Sequence, residues 1–382
     1  MTTLHQAQTS IDATHGVICS FPHDFYGYFG WPTVARMEDG TLVVASSGLR
    51  SAHVCPFGRT VICTSGDEGR TWTAPAVVND SPIDDRDAGV LPLGDRRLLI
   101  SWFSTDTRKA EIYRTYQERE DAGWIARYRA GFARMNDDTA ARWVGSWVRT
   151  SDDAGETWNA PVKVPVNAPH GPIRLTDGTV FYLGKTFTFD EHSNRTREGQ
   201  IRALQSANAG TSWSALGTVP LPEGTIEEQY HEPHVVELAN GGLLGLIRLQ
   251  NHATAPRLED RGWAGFGLAL TRSTDGGQTW TEAEPLGFHG SPPHLLRHSS
   301  GALVCVYGYR LAPFGQRAMI STDEGASWMV DLVIRDDGPD GDLGYPSSVE
   351  LEDGSILTVY YQKLGERTEK CSLLWSRWKL PR

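Results

Sequence analysis

A chain of 382 residues and 42.1 kDa, 39% hydrophobic and 22% charged, can bury a substantial core and is no disordered tail. Its net charge of −11, with no window rich in Lys and Arg, argues against nucleic-acid binding, which needs a basic footprint on phosphate. No apolar run approaches the roughly 18 to 20 residues of a membrane-spanning helix. The opening MTTLHQAQTSIDATHG has neither a basic nor an apolar leader region, and Cys19, Cys55, Cys63, Cys305 and Cys371 are unclustered. The expectation is a cytoplasmic protein with free thiols and no disulfide frame, metal site or cofactor.

Along the chain two repeats alternate. One is a hairpin phrase, Ser-x-Asp-x-Gly-x-Thr/Ser-Trp; the other is roughly Pro-x-x-x-x-Leu/Met-x-x-Gly followed by an apolar strand. Unit one carries Trp31-Pro32 through Gly40, then the hairpin at 65–72 ending in Trp72. Unit two has the variant strand 87–94 and the hairpin 151–158, separated by the stretch 105–147, where the repeat stops and charge rises. Few prolines and glycines and its Arg/Glu spacing predict an inserted helical excursion there, serving as a lid, an oligomer contact or a plain solvated insertion. Unit three begins at Gly171-Pro172 and carries a degenerate hairpin, 206–213, with Asn208 for Asp. Units four and five begin at Glu232-Pro233 and Pro292-Pro293, with hairpins at 273–280 and 321–328, and unit six begins at Tyr345-Pro346. In the hairpin, Asp accepts backbone N–H bonds, Gly supplies a positive φ and Trp packs beneath. Six units of a few short strands each predict an all-β fold, a six-bladed β-propeller forming one domain over 1–382.

The inner strand of each blade delivers its first residues to one mouth of the central channel, where a ligand can meet several blades at once. That phase nominates Trp31; Asp84, Asp85, Arg86 and Asp87; His170; Tyr230, His231 and Glu232; His294; and Tyr345. Titratable groups converging at one concavity are what acid/base chemistry needs. A lone histidine here also reads as one satisfied by a neighbouring blade's backbone, and 84–87 as a charge-satisfied turn. His231 and His234, three apart on a strand, point to opposite faces and make a poor metal pair.

The hairpin phrase is similar to the Asp-box of the sialidase (neuraminidase) superfamily, and the chain resembles that superfamily over nearly its whole length. The 231–238 segment with Arg248 resembles the part carrying the family's catalytic Glu and second carboxylate-binding Arg. The 345–351 segment, followed by Tyr360-Tyr361-Gln362, resembles its tyrosine-nucleophile segment, and Arg310 or Arg317 would be the third Arg. Two departures stand out. Trp31 replaces the family's first Arg, and the loop after Arg50 offers His53 where the family has an acid/base Asp.

The resemblance implies a retaining, exo-acting glycoside hydrolase of a terminal acidic sugar on an oligosaccharide. Tyr345 would be the nucleophile and Glu232 its base. His53 or an Asp of 84–87, Asp85 foremost, would be the acid/base group. Arg50, Arg248, Arg310, Arg317, Trp31, Arg86, Asp87, His170, His231 and His294 would bind substrate. A His acid/base, with an ordinary pKa of about 6.5, implies an optimum near neutral pH. A lyase on a uronate-linked sugar needs no acid/base Asp and stays open, as does a non-catalytic glycan-binding propeller.

Overall fold

The computed structural model describes residues 2–7, 9–109, 121–189 and 195–381. Six separate sheets of four or five strands follow one another along the chain, as the repeats predict. Blade 1 comprises Tyr28–Arg36, Leu42–Arg50, Arg59–Ser65 and Ala76–Asn79, ordered inside to outside. Blades 2, 3, 4 and 5 begin at Asp84, Val166, Tyr230 and Pro293. Blade 6 takes three strands from the C-terminal end of the chain and its outer strand, Ala13–Cys19, from near the start, paired antiparallel with Ser372–Trp378. Thr3–Gln6 adds a parallel fifth strand to blade 5. Closing the ring with both ends of the chain leaves fewer sheet edges to protect. The five cysteines are free and buried.

Apolar clusters fill the interfaces between adjacent blades, and the Asp-boxes wedge them. In blade 1, Asp67 accepts from the Thr71 N–H at 2.9 Å and the Thr71 hydroxyl at 2.6 Å, while the Trp72 indole donates to the Gly69 carbonyl at 3.1 Å. The same bonds recur in the boxes of blades 2, 4 and 5. In the degenerate box, Asn208 accepts from the Ser212 N–H and donates to its hydroxyl, so the turn survives without charge. Each box glycine abuts the preceding blade: Gly69 meets Leu357, Gly155 meets Ile62, Gly210 meets Leu99, Gly277 meets Phe181 and Gly325 meets Leu244. A repeated hairpin therefore does the repeated work of joining blade to blade.

The inner strands carry the feature that builds the site. Ladder register slips between Gly30 and Thr33, Arg86 and Gly89, His231 and His234, and Gly344 and Ser347. At each slip one residue is left-handed: Trp31 (φ 53°), Asp87 (53°), Glu232 (45°) and Tyr345 (49°). Non-glycine residues hold such a backbone only where the surroundings over-determine it, at about 1 kcal/mol or more each. A bulge re-aims a side chain and is one of the places where a strand accepts proline, and Pro32, Pro233 and Pro346 follow three of them.

The blade-2 excursion lies between Arg97–Thr105 and Gly145–Ser151, its strand neighbours in the sheet. It is helical in part: α1 spans Ala122–Phe132, capped by Asp121, and α2 spans Asp137–Trp143, capped by Asn136. The remainder of that expectation, at 110–120, lies outside the described residues.

Candidate active site

The four bulge residues Trp31, Asp87, Glu232 and Tyr345 meet at one end of the channel. They line a cavity of about 140 Å³ with His53, Arg86, Phe103, Asn167, Lys185, Phe187 and His231. That volume is small against pockets for drug-sized ligands and suits a single ring. A larger cavity of about 440 Å³ lies in the channel among aliphatic side chains such as Val34, Val90, Leu295 and Val349. The four bulge residues face the smaller one.

At its centre Tyr345 donates its phenol proton to Glu232 Oε1 at 2.6 Å. Arg248 Nη1 bonds both Glu232 Oε2, at 2.6 Å, and the Tyr345 oxygen, at 3.0 Å. Gln250 holds the rest of the guanidinium, accepting from Nε at 3.0 Å and Nη2 at 2.5 Å. Burial alone would raise the Glu232 carboxyl, but the Arg248 charge and the Tyr345 bond together hold it below its ordinary value. Burial pushes the Tyr345 phenol up, and the Glu232 carboxylate pushes it further, so Tyr345 rests as a neutral phenol on an ionised base.

His53 stands beside this group, its ring 4.9 Å from that of Trp31. Its Nδ1 lies 2.9 Å from Asp342 Oδ1, and Tyr28 donates to the same oxygen at 2.9 Å. With Nδ1–H directed at Asp342, Nε2 is the nitrogen left for chemistry. Burial lowers the His53 pKa; Asp342 opposes the shift, while Arg86 and Arg310 add to it.

Asp87 is 5% exposed and, among the described residues, makes no hydrogen bond. Burial first and the Glu232 charge second raise its carboxyl to about 7. A raised carboxyl destabilises the fold as pH climbs from about 4 through 7, because the unfolded chain ionises first. Asp87→Asn is therefore expected to gain a few kcal/mol at pH 8 and almost nothing at pH 4. Urea unfolding at both values measures this; an equal gain at each would place the carboxyl elsewhere.

Several expected site residues lie outside this group. Asp85 is fully buried in the blade, accepting from Ser81, Asn79 and Ser104, so its carboxylate braces a turn and does not reach the cavity. Arg50 is also fully buried, paired with both oxygens of Asp84 at 2.7 and 2.9 Å and packed on the Trp31 ring, and is not among the residues lining the cavity. Arg317 turns away to donate to the Pro313, Gln316 and Arg335 carbonyls. Arg310 is the arginine that faces the site, 5.7 Å from the Tyr345 ring centre. Tyr230 is core, bonded to Thr225.

His170 and His294 pack with His234 in the channel, the His170 ring 6.5 Å from that of Tyr345. His234 accepts the Leu295 N–H and His294 the Ser348 N–H, so these two are histidines satisfied by neighbouring backbone. His231 does line the cavity, between Lys185 Nζ at 3.1 Å and the Glu228 carbonyl at 2.7 Å. Tyr28, Asp342, Gln250 and Lys185 were not nominated from sequence: no repeat phase marks them.

Residues 132–359 match the BNR repeat-like domain family. The chain belongs to that family. Its fold is a six-bladed Asp-box propeller, a fold that solved sialidases share. A Dyadobacter fermentans protein of unknown function superposes with a TM-score of 0.72 at 22% identity, over 96% of this chain and 98% of that one. A Trypanosoma rangeli sialidase gives 0.60 at 15% identity, over 96% of this chain and 60% of its own. A Hadza microbial sialidase gives 0.62 at 15%, covering 96% and 68%. A Paenibacillus xyloglucanase is 24% identical over 229 residues, which are 55% of this chain and 20% of that protein. This BNR repeat-like chain thus spans about a fifth of the curated relative it matches.

Proposed function

We propose that this protein is a retaining glycoside hydrolase acting on a terminal, acidic sugar of an oligosaccharide. The observation that carries the reading is the Tyr345–Glu232 pair: a phenol donating at 2.6 Å to a carboxylate that Arg248 keeps ionised. A phenol with an ordinary pKa of about 10 attacks only with a base beside it, and Glu232 is placed to take its proton. A binding site needs no such pair.

The Tyr345 oxygen attacks the anomeric carbon as its proton passes to Glu232. The glycosidic bond breaks, and the departing oxygen takes a proton from His53 Nε2. Water then attacks the glycosyl–tyrosine while His53 recovers a proton, and Tyr345 leaves with the proton held by Glu232. Asp342 orients the imidazole and stabilises its charged form.

An anionic sugar accounts for a neutral nucleophile, since a carboxylate would repel it. Where Trp31 stands in place of an arginine, the Arg86 guanidinium stacks on its ring at 4.4 Å, and Arg310 stands over the Tyr345 ring. These two cations would hold the acidic group, and the neutral Asp87 carboxyl would donate to a ring hydroxyl. The cavity of about 140 Å³ favours exo action on one sugar.

Partial desolvation and the nearby Arg86 and Arg310 charges hold His53 below its ordinary 6.5, so the optimum moves from neutral to acidic. The expected kcat/KM profile is a bell. Its acid limb, set by Glu232, lies below about 4.5, and its alkaline limb, set by His53, below about 6.5. A plateau extending past pH 8 in an initial-rate profile would remove His53 from the acid's role.

Product masses on oligosaccharides capped with sialic acid, uronic acids and neutral deoxy sugars test the assignment. Products summing to substrate plus water support the hydrolase and name the sugar. Products summing to substrate alone, with new ultraviolet absorbance from an unsaturated uronate, establish the lyase. Retention of one cap on the immobilised protein without cleavage leaves a binding propeller.

A further inference from the structure

We infer that the blade-2 insertion is a positioning element for the loop that carries His53, and that Tyr128 is the residue through which it acts. This rests on His53 as the acid/base group. The loop between Arg50 and Arg59 has no ladder partners of its own, so side chains must hold it. Arg50 Nη2 and Arg86 Nη1 donate to the His53 carbonyl at 3.0 and 2.8 Å, and Lys370 Nζ donates to the Ser51 carbonyl at 2.7 Å. Those bonds hold the backbone from blades 1, 2 and 6.

Tyr128, on α1, reaches the loop on both sides of His53. Its hydroxyl donates to the Val54 carbonyl at 3.2 Å and receives the Ser51 hydroxyl at 2.7 Å. The ring is 1% exposed, stacked on Trp124 at 3.6 Å and edge-on to Phe57 at 5.6 Å. Cys55, Phe57, Trp124 and Tyr128 form a small core of their own, backed by Phe25, Ile125 and Phe132. Gly131 brings α1 so close that a methyl group there would stand 2.7 Å from the Phe57 ring. An antiparallel pair such as Arg97–Thr105 and Gly145–Ser151 needs only about two to five residues to turn. Here α1 instead packs against the loop of the neighbouring blade.

The Tyr128 bonds set where the His53 ring lies relative to Asp342, Tyr28, Trp31, Arg86 and Arg310, the groups that face it. Tyr128→Phe removes two hydrogen bonds and keeps the stack; Ser51→Ala removes one of them from the other side. Two readouts apply: the pKa of His53, from its C2–H deuterium exchange by peptide mass spectrometry, and kcat and KM on the 4-methylumbelliferyl glycoside of the sugar released from the panel. In both variants the expected result is a His53 pKa moved toward 6.5, kcat lowered roughly 10- to 100-fold and KM within about twofold. Unchanged exchange and kcat, with His53→Gln inactive, would overturn the inference and leave the insertion as packing. A fully active His53→Gln would overturn the assignment of His53 itself, while the exchange result would still decide whether Tyr128 positions the loop.

Discussion

Tyr345→Phe is expected to lower kcat by roughly 10³- to 10⁶-fold, as loss of a nucleophile does, with little change in fold. The phenol oxygen has two partners, Glu232 and Arg248, and both survive its removal paired with each other through Arg248 Nη1 and Glu232 Oε2. The ring stays seated against Trp31 and Tyr361. Substrate binding through Arg86 and Arg310 persists, so KM moves far less than kcat. Single-turnover assays with the cleavable oligosaccharide measure the two separately. A variant within tenfold of the wild type would remove Tyr345 from the reaction.

Arg248→Met is expected to cost roughly 3–5 kcal/mol of stability at pH 7, the usual penalty for orphaning one member of a buried ion pair. The pair is mostly buried, with side chains 13% and 22% exposed. The cation is what holds Glu232 below its ordinary pKa against desolvation, so without it the carboxyl rises. Linkage gives the sign. In the wild type a depressed Glu232 contributes stability above the unfolded value of about 4.3, and this is lost as pH falls through the lower folded value. In the variant a raised Glu232 destabilises as pH climbs instead, so the difference between the two proteins narrows toward pH 3. Guanidinium titrations at pH 3.5 and 7 measure the slope. A constant difference would mean that Arg248 supports the fold through its Gln250 bonds and its packing on Phe266, not through the charge of Glu232.

The parts of the site legible in the sequence are those written by the repeat. Five Trp-ending hairpins announce blades because each must satisfy the same turn and wedge the same interface. The x-Pro phase marks Trp31, Glu232 and Tyr345 because a bulge is a place where a strand accepts proline, and the bulge aims the preceding side chain into the mouth.

The errors come from the same feature. Asp85 and Asp87 share a face in an ideal strand, so alternation cannot choose between them. The slip between Arg86 and Gly89 turns Asp87 to the cavity and leaves Asp85 in the blade. His170 sits one residue before the phase position and His294 two after it, close enough to be nominated and far enough to fall in the channel. Arg50 is taken up by Asp84, a pairing across 34 residues that no local pattern records. Asp342 and Tyr128 act from connections outside the repeat and Tyr28 from the head of the blade-1 inner strand, before the repeat phrase begins, and only the folded chain brings them to His53.

In the proposed reaction Tyr345 bonds covalently to the sugar. A fluorinated, activated glycoside of the sugar released from the panel slows breakdown of a glycosyl–enzyme, and peptide mass spectrometry then locates the adduct. One glycosyl group is expected, on the peptide containing Tyr345, and none on Tyr345→Phe. An adduct on Glu232 or Asp87, or inverted stereochemistry of the product with no adduct, would contradict it.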